Sequence, residues 1–344
     1  MVEYVGLDVS KEETAYCVMT GEGRVLAKGK AASDPDALFE ALKAHCLYPE
    51  RIVVETGTLS HWLVRGLRER GLRVDLIDAR QAHGVMKLQH NKTDAGDAEL
   101  LAQIARTGFC RKVAVKSVAA QELRMVLKAR AHVVGQRRDT ENTIRGLLAA
   151  FGHRFPKGVG KFPKRVAAIL EAHPELGAAI SPLLAARASV LAALGELDDE
   201  VLAHAKVDPA CRLLMTAPGV GAVTAMAFVA TIDDPGRFAK SRSVGAYLGL
   251  TSRRYQSGEM DYSGRISKHG DAMLRSLLYG AANSLLTVVH RAHPLKAWAR
   301  RIKKRTSHRQ ACVALARKLA VILHRMLADG EAFRWPTKDA GAAA

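Results

Sequence analysis

The 344-residue sequence predicts an α/β fold in its first third and a mostly helical fold in the remainder. Two observations support this division. Short β-rich segments alternate with helical segments between residues 4 and 79, as in a layered α/β domain. From residue 117 onward, apolar residues recur every three or four positions, which is the spacing of amphipathic helices.

The N-terminal third predicts three strands, a helix, a strand, a helix, a strand, a loop and a helix. The first helix follows Ser33 as N-cap, with Pro35 in its first turn. RIVVET is short and apolar, which is typical of a buried parallel strand. In order, the segments are YVGLDVS (4–10), TAYCVMT (14–20), RVLAKGK (24–30), SDPDALFEALKAH, RIVVET (51–56), SHWLVRGLRER, LRVDLIDA (72–79), RQAHGVMKLQHNKT as the loop, and the helix that begins in NKTDAGDAELLAQIA.

The centre of the chain predicts long helices. Residues 117–152 form one periodic stretch, and 154–165 are rich in Gly, Pro and basic residues, which indicates a linker. Residues 166–205 are Ala- and Leu-rich and predict a helical hairpin or a coiled-coil arm. Because its apolar faces must be buried against something, this arm favours self-association. The predicted domains are therefore 1–152, a helical connector 153–205, and 206–344.

Residues 213–232 predict two helices around a Pro-Gly-Val-Gly turn. This pattern is typical of a helix-hairpin-helix, in which the backbone N–H groups near Gly219 and Gly221 bind a phosphate. The alternative is an ordinary turn between two antiparallel helices. The final segments predict a basic helix over 296–309 and a closing amphipathic helix.

The charge balance predicts a polyanionic partner. The chain has 52 Lys and Arg against 34 Asp and Glu, a net charge of +18, so nucleic acid is the first expectation and an acidic membrane the second. We expect no membrane association, because no apolar run is expected to reach the roughly 18–20 residues of a span and MVEYVGLDVS lacks a signal-like core. The five scattered cysteines include no CxxC pair, so neither a disulfide framework nor a zinc ribbon is predicted and a cytoplasmic location is expected.

Four acids stand at the positions where an open sheet binds ligands. Asp8 lies within the first predicted strand, Glu55 ends the fourth, and Asp94 and Asp97 open the helix that follows the loop. Each has an ordinary alternative. Asp94 and Asp97 can be the N-cap and a first-turn acid of that helix, and Asp8 and Glu55 can be solvent-facing. Acids at i and i+3 also share one helix face, so both can reach one cation.

The motifs GLDVS, VVETGTLSHWL and NKTDAGDAELLAQI resemble the RuvC-like, RNase H-fold domain of the DEDD transposases of bacterial insertion sequences. That family includes Piv-type invertases and bridge-RNA-guided recombinases. The resemblance extends over nearly the whole chain and implies that the family tetrad is Asp8, Glu55, Asp94 and Asp97. Carboxylate oxygens suit Mg²⁺ or Mn²⁺, and a pair of such ions can hold the attacking and leaving oxygens of a phosphoryl displacement.

Residues 237–286 resemble the C-terminal transposase domain of the same family, which has a serine-glycine pair followed by a GxISKxGD-like run. The resemblance implies that Ser257 is the nucleophile, in preference to Ser263 and Ser267, although Gln256 and Glu259 depart from the common pattern. Ser267 is then expected to be the N-cap of a helix starting near His269. The cations expected to contact nucleic acid are Arg253, Arg254, Arg265, Lys268, Arg300, Arg301, Lys303 and Lys304.

The predicted function is that of a DNA transposase or recombinase that cuts and rejoins DNA through a metal-binding tetrad and a serine. Family resemblance adds a guide RNA, a homo-oligomer (dimer or tetramer) and association with the bacterial nucleoid. The first alternative is a RuvC- or RNase H-like nuclease that hydrolyses DNA without a covalent serine step. A sugar-kinase or actin-like ATPase, which also opens with GLDVS, needs a second Gly-rich phosphate loop that the sequence lacks, and a non-catalytic scaffold would tolerate loss of the tetrad.

Overall fold

The structure is a computed structural model that describes residues 2–86, 93–155 and 162–335. It divides by internal contacts into two units, Met1–Lys116 and Ser117–Ala344, which are described separately. This division differs from the predicted boundary at residue 152, because the long helix that starts at Val118 packs with helices of the second unit. The three-domain division remains a prediction of the sequence.

A six-stranded mixed sheet forms the centre of the first unit. Strands β1 to β3 are an antiparallel meander, as the sequence predicted, and β4 and β5 run parallel to β1. The short β6, which the sequence did not predict, pairs antiparallel with β5. The order across the sheet is β3-β2-β1-β4-β5-β6. The strands are β1 Glu3–Val9, β2 Glu13–Thr20, β3 Val25–Ala32, β4 Arg51–Glu55, β5 Val74–Ile77 and β6 Lys112–Val113.

Helices cover both faces of this sheet. The core on one face includes Leu38 and Leu67 against Val5 and Leu7, while the other face packs Leu101 and its neighbours against residues such as Val53. Successive residues of a strand point to opposite faces, so residues next to Leu7 or Val54 face the Leu101 side. The helices are α1 Pro35–Lys43, α2 Ser60–Glu69, α3 Ala79–Met86 and α4 Asp94–Thr107.

Two local predictions in this unit are wrong. Residues 79–86 form α3, whereas the sequence predicted a loop from residue 80. The N-cap of α1 is Asp34, whose carboxylate accepts hydrogen bonds from the N–H groups of Asp36 and Ala37. Ser33 is buried instead, with its hydroxyl 2.8 Å from that of Thr14, so a tertiary contact uses the side chain that the sequence assigned to the cap.

The second unit is helical apart from one hairpin. Its main core lies among α8, α9, α11 and α13 and includes Phe228, Leu278 and Leu319. The β-hairpin is an addition to the expected mostly helical fold. The elements are α5 Val118–Ala149, α6 Phe162–Ala172, α7 Gly177–Val207, α8 Pro209–Met215, α9 Ala222–Ile232, α10 Val244–Tyr247, β7 Ser252–Ser257, β8 Met260–Ile266, α11 Ala272–Thr287, α12 Pro294–Arg305 and α13 His308–Asp329.

The predicted long helix is confirmed as α5. The range 166–205 is helical as predicted but is divided between the end of α6 and most of α7. Ion pairs connect α5 and α7, with Arg187 reaching the buried Glu141 at 2.8 Å and Arg130 reaching Asp198 at 2.5 Å. The predicted linker 154–165 lies largely outside the described residues, and α6 already begins at Phe162.

The expectation that no apolar run reaches the length of a membrane span is wrong. The helix over Pro174–Val207 is long and apolar enough by length and composition, with a mean hydropathy of 1.6, and 6% of that window is buried within this chain. The ion pairs to α5 give this helix a packing partner inside the second unit.

Candidate functional site

Asp8 and Glu55 lie next to each other at the carboxyl ends of two parallel strands. The register of β1 and β4 pairs Tyr4 with Arg51 and continues to Leu7 with Val54. The next residue on each strand is an acid, and adjacent strands are about 4.8 Å apart. Asp8 lies two positions after Gly6, whose backbone contacts α4, and Glu55 lies two positions after Val53, which packs with Leu101 of α4. Both acids therefore face the side of the sheet that α4 covers.

The direction of α4 brings its first turn to the same edge of the sheet. A Cβ added to Gly6 would lie 2.2 Å from the carbonyl oxygen of Ala98 and 2.2 Å from the backbone nitrogen of Ala102, so the helix backbone rests directly on β1. Near the other end of α4, Arg51 at the start of β4 donates a hydrogen bond to the carbonyl of Ala105 at 3.0 Å. The helix therefore runs antiparallel to β1 and begins near the carboxyl ends of β1 and β4.

The start of α4 presents two acids, and neither is its N-cap. Thr93 is the N-cap and accepts a hydrogen bond from the Gly96 N–H, so the predicted capping role of Asp94 is wrong. Asp94 is the first helical residue and is exposed, while Asp97 retains 3% exposure. The helix dipole favours acids in this turn, and an i, i+3 pair shares one face. Because Thr93 caps the helix, neither acid is needed for the capping hydrogen bond.

Lys30 is a member of this cluster that sequence reasoning missed. Asp8 pairs with Ala15 on β2, and Ala15 pairs with Lys30 on β3, so these three side chains share one face. The Lys30 ammonium lies 2.9 Å from the Asp94 carboxylate. Its hydrogen bond to Asp94 raises the pKa of Lys30, and the negative charges of Asp94, Glu13 and Asp8 add to this effect. The only sequence signal was its alternating position in β3.

The donor set fits a hard divalent cation. Four carboxylates converge at one edge of the sheet, and they offer only oxygen atoms, which Mg²⁺ and Mn²⁺ prefer. An ammonium already lies against one of them, which indicates that the local potential attracts positive charge. In the second unit, His204, Asp208 and Cys211 also lie close enough together to share an ion, but their ligand atoms belong to a different chemical class.

Ser257 lies in the second unit, at the tip of an exposed hairpin. It ends β7 and pairs with Met260 across a two-residue turn, and every residue of β7 is exposed. Gly258 in the turn has φ of 56°, the left-handed region that glycine adopts without a Cβ penalty. The rings of Tyr255 and Tyr262 stack across the hairpin with centroids 5.2 Å apart. Ser257 is therefore an exposed residue beside an open turn.

Arg254 is neutralised within the hairpin by a residue that the sequence argument overlooked. Its guanidinium donates two hydrogen bonds to Asp261, at 2.8 and 2.6 Å. This contact raises the pKa of Arg254 and lowers the pKa of Asp261. Both residues are exposed. Arg254 pairs in register with Ser263 and Asp261 with Gln256, so the two charged side chains are diagonal neighbours on one face of the hairpin, where opposite charges are favourable. Sequence spacing alone gave no register and therefore no pair.

The segment after the hairpin is held by backbone contacts. Lys268 has φ of 57° and donates its N–H to the Gly249 carbonyl. Arg275, another residue that the sequence analysis missed, donates to the carbonyls of His269 and Leu248 at 2.7 and 3.2 Å. Arg253 donates to the Ser267 carbonyl at 3.2 Å.

The predicted N-cap role of Ser267 is wrong. Helix α11 begins at Ala272, and Asp271 is its N-cap. Asp271 also receives a hydrogen bond from Arg124 at 2.7 Å, and together with the backbone hydrogen bond from Leu274 this lowers the pKa of Asp271 despite its burial. The extra residues between Ser267 and α11 form the turn that Arg275 holds.

The remaining predicted contacts lie in the turn between α8 and α9, on β8 and on α12. Gly219 has φ of 81°, and a Cβ there would lie 2.4 Å from the carbonyl of Ala281, so packing against α11 already requires glycine. Gly221 precedes α9 and has open space around it. Arg265 lies on the exposed part of β8. The four predicted basic residues of α12 are exposed, namely Arg300, Arg301, Lys303 and Lys304.

A mixed sheet with four acids gathered at the ends of β1 and β4 and at the start of α4 defines the catalytic domain of a DEDD-type transposase, and residues 5–152 match a family model of that domain. Residues 211–298 match the model of the transposase IS116/IS110/IS902 family. The chain belongs to the IS110 family of insertion-sequence transposases.

Proteins of similar length support this family assignment. The chain is 29% identical over 340 residues to the transposase for insertion sequence element IS1111A of Coxiella burnetii, covering 97% of this chain and 92% of that protein. It is 30% identical over 340 residues to a Sinorhizobium fredii protein assigned as transposase y4pF/y4sB, covering 96% and 85%. It is 26% identical over 337 residues to the transposase for insertion sequence element IS1328 of Yersinia enterocolitica, covering 96% and 98%.

Proposed function

We propose that this DNA transposase cuts and rejoins DNA with a metal-binding tetrad, Asp8, Glu55, Asp94 and Asp97, and with Ser257 as a covalent nucleophile. The observation that carries the proposal is the convergence of four carboxylates at one edge of the sheet. The family implies dependence on a divalent metal, and the oxygen-only donor set supports Mg²⁺ or Mn²⁺ as that metal.

The four carboxylates would hold the metal, which supplies charge stabilisation for the oxygens of a phosphoryl displacement. The protein's own contribution is to hold the carboxylates in fixed positions. β1 and β4 fix Asp8 and Glu55 side by side, and the contact of α4 with Gly6 fixes Asp97 against the same edge. A fixed arrangement avoids reorganisation when charge develops on the reacting phosphate.

Ser257 would attack the scissile phosphate through its hydroxyl oxygen. A bond forms between Ser257 Oγ and phosphorus, the bond from phosphorus to one deoxyribose oxygen breaks, and that oxygen takes up a proton as the serine loses one. The product is a protein–DNA phosphodiester and a free DNA hydroxyl. Attack by the hydroxyl of another DNA end reverses these steps and joins the strands, so one phosphodiester replaces another without ATP.

Gly258 and the exposure of β7 support this assignment. Open space surrounds Gly258, so a DNA backbone can approach the neighbouring serine closely. Arg265 and Lys268 lie on the same exposed segment and supply positive charge for the phosphate. Arg254 contributes less than the sequence suggested, because Asp261 already pairs with it.

The partners in this proposal are the DNA ends of the element, target DNA, a guide RNA and further copies of this chain as a dimer or tetramer. The net charge of +18 supports the nucleic-acid partners. Recombination requires several strand cuts, while one chain carries one tetrad and one Ser257, which supports an oligomer. The proposed place of action is the nucleoid in the bacterial cytoplasm. Sequencing the RNA that copurifies with the expressed protein tests the guide.

The test of the serine uses nicked DNA carrying the element end, with Ser257→Ala beside Ser263→Ala and Ser267→Ala. We expect Ser257→Ala to abolish strand joining and the covalent adduct, while its DNA binding remains. In the wild type, digestion of the trapped complex should yield a nucleotide-bearing peptide that contains Ser257. The two control serines should retain the adduct.

Two results would contradict the assignment. Strand joining by Ser257→Ala, or an adduct that maps to Ser263 or Ser267, would exclude Ser257 as the nucleophile. Metal-dependent cleavage by Ser257→Ala without any joining in the wild type would instead support the hydrolytic nuclease.

A further inference from the structure

A groove lies beside the base of the β7–β8 hairpin, within the second unit. It has a volume of about 1100 Å³ and is bordered by the hairpin, the start of α12 and one face of α13. Its floor is apolar and includes one large aromatic ring. The floor residues are Leu250, Ile266, Leu295, Trp298, Val313 and Ile322.

The rim of this groove is basic. Five cations border it, and the residues that line it include no Asp or Glu: the five are Arg265, Lys268, Arg309, Arg317 and Lys318. Within residues 2–86, 93–155 and 162–335, no carboxylate lies within 4.0 Å of any of these five cationic groups. An unneutralised positive rim around an apolar floor complements a polyanion that also carries apolar surfaces.

The size of the groove indicates whether the polyanion is single-stranded or double-stranded. Pockets for drug-sized molecules measure roughly 300–1,000 Å³, so the groove admits one or two nucleotides. In a DNA duplex each base is paired and stacked on its neighbours, so no base face is open to the apolar floor. Unpaired bases can enter the groove, because each has an apolar face that stacks on an aromatic ring while its phosphate stays at the rim.

Trp298 and Lys318 form the centre of the groove. The Lys318 ammonium lies over the Trp298 ring, 4.0 Å from its centroid. A phosphate that draws this ammonium to the rim therefore opens the ring face to a base. Lys318 and the neighbouring Arg317 are exposed on α13, one turn after Val313 and Ala314. Apolar and basic residues of α13 therefore lie one turn apart along the same side of the groove.

We propose that this groove binds an unpaired stretch of the DNA strand that is cut at Ser257, with bases on the apolar floor and Trp298, and phosphates on the basic rim. The inference rests on the proposed role of Ser257. Ser252 lines the groove and lies five residues before Ser257 on β7, a separation of about 16 Å along the strand. At 3.4 Å per nucleotide, this corresponds to roughly five nucleotides of one B-form strand.

The test measures binding of fluorescein-labelled hexathymidylate to the full chain in EDTA, at several salt concentrations. The double variant Arg317→Gln, Lys318→Gln should bind more weakly and reduce the slope of log K against log [salt] by about 1.4, because each single-strand phosphate contact contributes about 0.7. Trp298→Ala should weaken binding by roughly 5- to 150-fold, the range for loss of one base–aromatic stack.

The matched control is Arg325→Gln. Arg325 is on the same helix, pairs with Asp329 at 3.0 Å, and lies outside this groove. The Arg325→Gln variant loses one positive charge outside the groove, so its slope of log K against log [salt] should match that of the wild type. If circular dichroism shows that Trp298→Ala is unfolded, the test relies on the double variant at exposed positions and on Trp298→Phe. Trp298→Phe should keep most of the affinity.

Three results would overturn the proposal: wild-type affinity and slope in the double variant, equal losses in Arg325→Gln, or binding of hexauridylate without binding of hexathymidylate. The assay contains no metal and no cleavage step, so it separates this proposal from the proposed function. Loss of binding in the groove variants together with strand joining by Ser257→Ala would reject only the serine mechanism. Normal binding in them together with loss of joining by Ser257→Ala would reject only the groove.

Discussion

The acid cluster of the first unit and the serine hairpin of the second are built in opposite ways. Asp97 retains 3% exposure, and the strands that carry Asp8 and Glu55 are interior to a six-stranded sheet. Every residue of β7, by contrast, is exposed, and among the described residues the hairpin forms a separate two-stranded sheet. One site is fixed by tertiary packing, and the other is fixed by a turn and a few cross-strand contacts.

Under the proposed function, the difference follows from what each site would bind. Carboxylates that hold a small cation must keep their positions against mutual repulsion, which requires a packed support. A nucleophile that attacks DNA must reach a wide polyanion, so exposure is an advantage. Substitutions in the first unit should therefore act through geometry and stability, whereas substitutions on exposed basic surfaces should act through binding.

The largest effect is expected from Asp97→Asn. It keeps the size of the side chain but removes the carboxylate charge, so we expect recombination to fall by more than about 100-fold, since even residues behind metal ligands cost 10- to 100-fold in metal affinity. The control is Glu99→Gln on the same helix, whose carboxylate pairs with Lys28 at 2.6 Å. It should remain active. Recombination by Asp97→Asn at the wild-type rate in EDTA would exclude the tetrad.

A second large effect is expected from Gly6→Ala, which tests the packing rather than the ligands. The added Cβ would lie 2.2 Å from two backbone atoms of α4, and backbone cannot yield as a side-chain end does. We expect the free energy of unfolding to fall by about 3 kcal/mol or more and the melting temperature to fall by more than about 10 °C. Gly57→Ala, with no atom within 4 Å of the new Cβ, should melt near the wild type. Equal melting curves would mean that α4 does not rest on β1.

A moderate effect is expected from the basic face of α12. Replacing Arg300, Arg301, Lys303 and Lys304 with Gln removes four exposed charges. The slope of log K against log [salt] on duplex DNA should flatten by up to about 3.6, at 0.9 per phosphate contact. Fluorescence anisotropy across a salt series measures it. An unchanged slope would place the duplex contact on another surface.

The smallest effect is expected from Lys30→Gln. The Lys30 ammonium lies 2.9 Å from the Asp94 carboxylate and would compete with a cation there, and its hydrogen bond to Asp94 raises its pKa still further above neutral pH. Because exposed ion pairs are weak, removal of this ammonium should tighten Mn²⁺ binding by roughly 1.5- to 5-fold, as measured by calorimetric titration. Lys28→Gln, whose partner is Glu99, should leave the affinity unchanged. Weaker Mn²⁺ binding by Lys30→Gln would show that the lysine supports the site.

Sequence patterns predicted the order of the first five strands, the long helix α5, the helical character of residues 166–205, and the basic, nucleic-acid-binding character of the chain. These features are local or additive: alternation identifies a strand, three- and four-residue spacing identifies a helix, and net charge is a sum. The four acids were also identifiable as candidates, because their positions at strand ends and at a helix start follow from the same local patterns.

Only the tertiary structure decided how these parts meet. The capping role of Thr93, the approach of Lys30 to Asp94, and the contact of Gly6 with α4 each join residues whose relationship depends on strand register and helix direction. The pairing of Arg254 with Asp261 and the groove beside the hairpin have the same origin. Register and packing are set by contacts between distant segments, and periodicity within one segment carries no information about its partner.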